Sequence, residues 1–244
     1  MISISFIIPC YNGEKFIFFN IKKIVKKITS LKINYEIIII NDGSSDKTLL
    51  KINKLQNIYK KIKFINFTKN RGKSFSIRKG LKLSKYNYIV LIDADLPYFL
   101  YIDTIILELK KKKDLVLVDR NHKNSILKNK NLSFYSYSRQ QFGLLISKII
   151  FYILRINLGL IDTQAGLKGF KKIKNFNKIK FISNKFFFDI ELIHSYRILN
   201  RKISLIPVNY KLADNENSTI NLFSLKNILI FIDFIKVIIF LKFR

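Results

Sequence analysis

Residues Tyr88 to Asp95 read YIVLIDAD, an apolar run closed by Asp93 and Asp95. A run too short for a helix, apolar on both faces and ended by polar residues, suits a strand, here Tyr88–Asp93, covered from both sides. Further runs of this kind flank it at Ile2–Pro9, Tyr35–Asn41, Ile62–Thr68 and Leu115–Asp119, and Ile37–Ile40 is continuously apolar. Between the strands the spacing changes. Ile17, Ile21, Ile24, Ile28 and Leu31 recur at steps of four and three, which puts one apolar stripe on a helix whose other side carries lysines. Weaker stripes follow at Ile52, Leu55 and Tyr59, at Ile77 and Leu81, and at Ile102, Ile105 and Leu109. Strands alternating with crossover helices predict an α/β fold, with a mostly parallel central sheet and helices on both faces.

With 244 residues, 49% of them hydrophobic, the chain can build one full-sized core. Residues 1–220 read as a single domain and 221–244 as an apolar and basic helix. Cys10 is the only cysteine, which excludes an intramolecular disulfide and a cysteine zinc cluster and fits a reducing compartment. Lys and Arg number 45 against 16 Asp and Glu, a formal charge of +29 that attracts phospholipid, nucleic acid or phosphorylated substrates alike. The same lysines, with the many Ile, Asn and Phe, are also what A- and T-rich codons produce, so charge alone selects no partner. Met1–Pro9 has no basic n-region and no small-residue cleavage site, and reads as a first strand rather than a signal peptide.

In a sheet of this type ligands bind beyond the C-terminal strand ends, so the residues that follow each strand are the informative ones. They are Pro9–Glu14, Asn41–Asp46, Asn70–Lys73, Asp93–Asp95 and Arg120. Two carboxylates one residue apart at a strand end can turn into one cleft and hold a divalent ion, Mg2+ or Mn2+, against a diphosphate. A lone Asp-x-Asp is more often a solvated turn or a helix cap, and Asp42-Gly43-Ser44 alone could be a strand-to-helix turn with Asp46 as N-cap. Their order decides the reading: Pro9-Cys10-Tyr11-Asn12, then Asn41–Asp46, then Asn70-Arg71-Gly72-Lys73, then Asp93-Ala94-Asp95, each behind its own strand.

This series resembles glycosyltransferase family 2, the inverting enzymes of the GT-A fold, over the first half of the chain. The resemblance implies a nucleotide-sugar donor. Pro9, Tyr11, Asn12 and Glu14 would then lie along the nucleoside, Asp42 on its base, Lys73 and Asp93 by the diphosphate, and Asp93 and Asp95 on the metal. The second half is similar more narrowly to the dolichyl-phosphate and polyprenyl-phosphate glucosyltransferases and mannose synthases, through Arg139, Asp162-Thr163-Gln164-Ala165-Gly166-Leu167-Lys168 and Phe188-Asp189-Ile190-Glu191-Leu192. That likeness implies a lipid monophosphate acceptor gripped by Arg120 and Arg139, with Asp162, Glu191 and Asp189 as candidate catalytic acids. A phosphate oxygen, already ionised, needs a strong base less than a sugar hydroxyl does. As acids in a helix's first turn, Asp189 and Glu191 could equally serve the helix dipole alone.

The chain departs from the family pattern at Gly13, where a Glu is usual, at Ser74, where a Gly is usual, and at Val118-Asp119-Arg120 in place of Gly-Ser-Arg. Pro97 stands where mannose synthases have a metal-supporting Gln, which argues against a GDP-mannose enzyme of that type and favours a UDP-sugar, glucose foremost, while leaving the donor open.

Beyond Phe134 the pattern comprises an apolar, aromatic stretch to Leu160, a polar turn at Asp162–Gly166 and a helix from Asp189 with Phe188, Leu192, Tyr196 and Leu199 on its buried side. A strand at Ile203–Val208 and a polar loop at Asp214–Thr219 follow. Phe134–Leu160 and Leu222–Phe243 are apolar but carry Arg139, Lys148 and Arg155, and Lys226, Asp233 and Lys236. These charges break both segments below the roughly 20 residues of a spanning helix. Amphipathic helices lying on the cytoplasmic face of a membrane are expected instead, with packing on the domain or on a second copy as the alternative. Other functions in view are transfer to a sugar hydroxyl in a surface polysaccharide, nucleic-acid binding and a decayed enzyme. No helix-turn-helix, RRM or zinc-finger pattern accompanies the charge, so no nucleic-acid partner is expected.

Overall fold

The computed structural model describes residues 2–128, 148–150, 152–154, 162–211 and 225–243. Strands β1 (Ser3–Cys10), β2 (Asn34–Asn41), β3 (Ile62–Asn66), β4 (Tyr88–Ile92) and β5 (Leu115–Asp119) alternate with helices α1 (Ile17–Ser30), α2 (Thr48–Ile58), α3 (Lys73–Leu83) and α4 (Ile102–Lys110). Then come β6 (Ile126–Leu127), β7 (Leu167–Lys171), α5 (Phe188–Ile198), β8 (Ile203–Pro207), β9 (Asn209–Tyr210) and α6 (Leu225–Lys242). The seven-stranded sheet runs β3-β2-β1-β4-β7-β5-β8, and β6 pairs with β9 in a separate two-stranded ribbon. β1 pairs parallel with β2 and β4, β2 with β3 and β5 with β8, whereas β7 is antiparallel to both its neighbours.

Both faces of the sheet are covered, which is why the central strand β2 is continuously apolar over Ile37–Ile40 and β4 over Ile89–Ile92. On one face Ile4, Phe6, Ile8, Ile37 and Ile39 pack against α1, α2 and α4. On the other Ile7, Ile38, Ile40 and Ile89 pack against α3, α5 and α6. Ile17, Ile21, Ile24 and Ile28 of α1 are fully buried, each contributing about 2 kcal/mol of apolar burial.

Strand ends shift by one or two residues, as at β3, which stops at Asn66 rather than Thr68, and other departures bear on the site. β7 was not anticipated, because LKGFK is short and carries two lysines, one of them (Lys168) buried. Leu199 is 45% exposed rather than buried, because it lies past the last turn of α5 while Phe188, Leu192 and Tyr196 point inward. β4 itself ends one residue earlier than expected, so Asp93 stands free of it. Arg139, the polar loop Asp214–Thr219 and most of Phe134–Leu160 lie outside the described residues.

Candidate active site

Because β1 lies between β2 and β4, the loops after these three strands form one rim. The Asp42 N–H donates to the Cys10 carbonyl at 2.8 Å, which joins the first two loops at their roots. Asn12 adopts φ 49°, and its side-chain oxygen accepts the Ser45 N–H at 2.9 Å while its own N–H donates to Ser44 Oγ at 2.9 Å. The Glu14 N–H donates to Asp46 at 3.0 Å and the Glu14 carboxylate accepts the Lys47 N–H at 3.1 Å. Asp46 also accepts the Thr48 N–H at 3.0 Å, but it stands one residue ahead of the N-cap position of α2, which Lys47 occupies. Tyr11 is left exposed at the rim. At Gly13 an added Cβ would stand 2.4 Å from Cys10 Sγ, which gives a local reason why the larger residue usual in the family is missing. Burial pushes the Cys10 thiol up to about 12.

Asp42 is buried and reaches across to the start of α3. Its two oxygens accept the Arg71 N–H at 2.8 Å and the Gly72 N–H at 2.9 Å. An ionised carboxylate has about four lone-pair sites. Two remain for a ligand's N–H. Gly72 holds φ +103° with the Asn184 carbonyl 2.3 Å from where a Cβ would be, so only glycine fits this crossing.

Lys73 and Asp93 meet at the centre of the rim with Nζ 2.6 Å from Oδ1. Burial disfavours the Lys73 ammonium, but Asp93, then Asp189 and Asp95, outweigh it and hold its pKa above the ordinary lysine range. The Asp93 N–H donates to the Gly166 carbonyl at 2.8 Å, and an added Cβ on Gly166 would stand 2.3 Å from Asp93 Oδ2. The Asp162–Gly166 turn and β7 therefore form a close-fitting wall behind this carboxylate. Asp95 is exposed at its tip, yet partial desolvation by the cleft walls, followed by the charge of Asp93, raises its carboxyl pKa. Among the described residues no third His, Cys, Asp or Glu joins them to complete a cage. Two hard oxygen donors on an open rim fit an ion that completes its shell with water and substrate phosphate, as Mg2+ and Mn2+ do.

Beneath this pair lies a second one that the sequence did not single out as such. Lys168 Nζ is 3.1 Å from Asp189 Oδ2, both are buried, and Lys168 also donates to the Ala165 carbonyl. Pro9, Lys73, Asp93, Gly166, Lys168 and Asp189 line a cavity of about 10 Å³, room for a single water. Burial raises the Asp189 carboxyl pKa, against the pull of Lys168 and Lys73. The signal that could have revealed Lys168 is its place inside an apolar strand, but β7 itself was not legible.

Asp162 is buried and forms a two-pronged ion pair with Arg120, in which Nη2 meets Oδ1 at 2.9 Å and Nε meets Oδ2. Burial opposes its charge, but the guanidinium wins and lowers the Asp162 pKa. Asp119, at the end of β5, accepts the Asp162 N–H at 3.0 Å and so fixes the pair. Glu191 is fully buried on another side of α5, where it accepts the Ile182 N–H at 2.6 Å, and burial pushes its carboxyl up to about 7. The structure thus brings Pro9, Asp42, Lys73, Asp93 and Asp189 to one rim, sets Arg120 with Asp162, and turns Glu191 toward the 182–183 backbone.

The sheet order and the covered faces define an α/β protein of GT-A type, with this acidic rim at its C-terminal strand ends. Residues 5–160 match the model of glycosyl transferase family 2, and the chain belongs to that family. It is 32% identical over 170 residues to CsbB of Bacillus subtilis, named as a glycosyltransferase, covering 66% of this chain and 49% of that one. It is 38% identical over 93 residues to a poly-beta-1,6-N-acetyl-D-glucosamine synthase of Staphylococcus aureus, covering 38% of this chain and 21% of that one. The chain therefore spans about half or less of the curated relatives it matches. In three dimensions it is similar to glucosyl-3-phosphoglycerate synthase of Mycobacterium tuberculosis, solved with Mn2+ and UDP-glucose. The TM-score is 0.60 at 17% identity, over 93% of this chain and 73% of that one.

Proposed function

We propose that this chain moves a hexose, glucose foremost, from a UDP-sugar to a polyprenyl monophosphate on the cytoplasmic surface of a membrane, inverting the sugar at C1. The observation that carries the reading is the convergence of Asp42, Lys73, Asp93 and Asp95 on the C-terminal rim, in the order that a nucleoside followed by a diphosphate would need. Asp93 and Asp95 are the residues that would hold the divalent ion, which when bound offsets the charge growing on the departing diphosphate. Asp42 orients the base through its free lone pairs, and the Pro9–Glu14 turn walls the nucleoside. Lys73 supplies a fixed positive charge beside the diphosphate.

The state of Asp162 favours a phosphate acceptor. Its charge is committed to Arg120 and its pKa is depressed, so it makes a poor base, whereas an ionised phosphate needs none. The remaining N–H groups of Arg120, and Arg139, are suited to that phosphate. The surface of α6 supports membrane contact: Ile228, Leu229, Phe231, Ile232, Ile235 and Ile239 are exposed along it. No helix among the described residues is long and apolar enough to cross a membrane. An exposed apolar stripe on so basic a chain suits an anionic lipid surface.

A second reading, transfer to a sugar hydroxyl in polysaccharide synthesis, is favoured by one observation. Asp189 lines the rim cavity next to Asp93 with a raised pKa, as a general base would. Incubating the protein with labelled UDP-sugars, Mn2+ and either polyprenyl phosphate or oligosaccharides separates the two. Label in a lipid-extractable product supports the first reading, label in oligosaccharide supports the second, and label in neither under any metal refutes both.

A further inference from the structure

Helix α6 contains a single carboxylate, Asp233, among Leu, Ile, Phe and Val. That carboxylate is turned inward onto residues 183–185. Its Oδ2 accepts the Ser183 hydroxyl at 2.7 Å and the Lys185 N–H at 3.1 Å, and its Oδ1 accepts the Asn184 N–H at 3.2 Å. The carbonyls of the same turn face the opposite way. The Lys185 carbonyl accepts the Ser74 N–H at 2.8 Å, and the Asn184 carbonyl accepts the Phe75 N–H at 3.1 Å.

Ser74 and Phe75 are among the first residues of α3, whose N–H groups have no partner within their own helix. The α3 N-terminus has no side-chain cap of its own, so the 183–185 turn does the capping. The turn also closes on Gly72, whose missing Cβ lets the Asn184 carbonyl approach. Ser74 Oγ joins the contact by lying 3.2 Å from Ser183 Oγ and accepting the Phe188 N–H at 3.0 Å. This is the position where glycine is usual in the family pattern, and here the serine hydroxyl has two partners.

The donor end of α3 is thus clamped between two carboxylates. Asp42 holds the Arg71 and Gly72 N–H groups from the sheet side. Asp233 organises the turn that holds Ser74 and Phe75 from the other. Lys73, between the two clamps, carries the ammonium paired with Asp93. We propose that Asp233 is a positioning residue. It fixes the first turn of α3 through the 183–185 backbone, and with it the height of Lys73 over the donor diphosphate. The donor half of this inference rests on the donor reading above, whereas the clamp itself does not. An acid in the middle of an apolar helix is otherwise costly, and its three donors offset that cost.

The test uses the full chain with Asp233→Ala, Asp233→Asn and, as a packing control, Val237→Ala. Val237 is fully buried on α6, and the variant thins the helix's packing without touching the turn. Two quantities are read: amide hydrogen exchange of the 72–76 segment, and the affinity for uridine diphosphate with Mn2+. Asp233→Ala is expected to speed exchange at Ser74 and Phe75 at least about tenfold and to weaken nucleotide affinity about tenfold. Asp233→Asn, which keeps one acceptor oxygen, gives an intermediate effect, and it is the variant read if the alanine form does not fold. Val237→Ala lowers the melting temperature and moves neither quantity. In turnover, kM for the donor rises in Asp233→Ala while kcat holds, the mark of lost uniform binding. Unchanged exchange at 72–76 in both Asp233 variants overturns the clamp, and equal nucleotide weakening in Val237→Ala overturns the positioning role. A wild-type protein that binds no uridine diphosphate sinks the donor reading by itself, and the exchange measurement still decides the clamp.

Discussion

Replacing Gly166 with alanine separates chemistry from folding at this site. The new Cβ would stand 2.3 Å from Asp93 Oδ2 and 2.6 Å from Cγ, where ordinary contact begins near 3.4 Å. The Asp93 carboxylate must therefore move by about 1 Å, and disturbing the support of a metal ligand typically costs about 10–100-fold in metal affinity. Gly166 is not among the positive-φ glycines, so its backbone accepts alanine without strain. The Lys73–Asp93 pair keeps about a quarter of each side chain exposed, so weakening it costs about 1 kcal/mol or less. Calorimetric titration with uridine diphosphate and Mn2+ should then show affinity falling by about one to two orders of magnitude, with a melting temperature lower by only about 2–4 °C. Gly169→Ala provides the opposite case: its Cβ would meet Ile105 Cγ2 at 2.4 Å and Leu109 Cδ1 at 3.0 Å, inside the packing of α4 on β7. Overpacking there costs about 1–3 kcal/mol, and the folded fraction should bind nucleotide as the wild type does. Affinity within about threefold of wild type in Gly166→Ala would refute the reasoning that places the cation at Asp93.

Three further outcomes follow from the charges and burial. Asp162→Asn leaves the Arg120 guanidinium without its counter-charge and should cost about 2 kcal/mol in urea unfolding, moderated because Arg120 keeps 30% exposure. The folded pKa of Asp162 is depressed below 3.8, so its stabilisation is present above that pH and lost on further acidification; the variant should flatten this acid limb. Glu191 behaves with the opposite sign: its pKa is raised from 4.5 to about 7, so its contribution is full below pH 4.5 and lost as pH rises through 7. Glu191→Gln should remove up to about 3 kcal/mol of that fall, read by unfolding curves across the range. Cys10 is buried with its thiol near 12 against an ordinary 9.0, so alkylation in the native state should be about 1000-fold slower than in denaturant.

The sheet was legible where burial on both faces made the strands continuous, as at Ile37–Ile40, and where α1 repeated isoleucine on one stripe. The rim was legible because a parallel sheet delivers its strand ends to one edge, which placed Asp42, Lys73 and Asp93 before any contact was known. What was not legible depends on long-range pairing. β7 is a five-residue strand whose lysine is buried only because Asp189, on a later helix, receives it. Arg120 and Asp162 are 42 residues apart, and nothing local marks them as partners. Asp233 looked like a charge interrupting an apolar segment, because the turn it organises lies 48–50 residues earlier.

The most direct test of the central claim, that Asp93 and Asp95 hold a cation against the donor diphosphate, is a crystal soaked with Mn2+ and uridine diphosphate and measured at the manganese edge. An anomalous peak shared by both carboxylates and a diphosphate oxygen, with the base on Asp42, is the result this account predicts. A peak ligated elsewhere, or nucleotide bound away from Lys73 and Asp93, would contradict it.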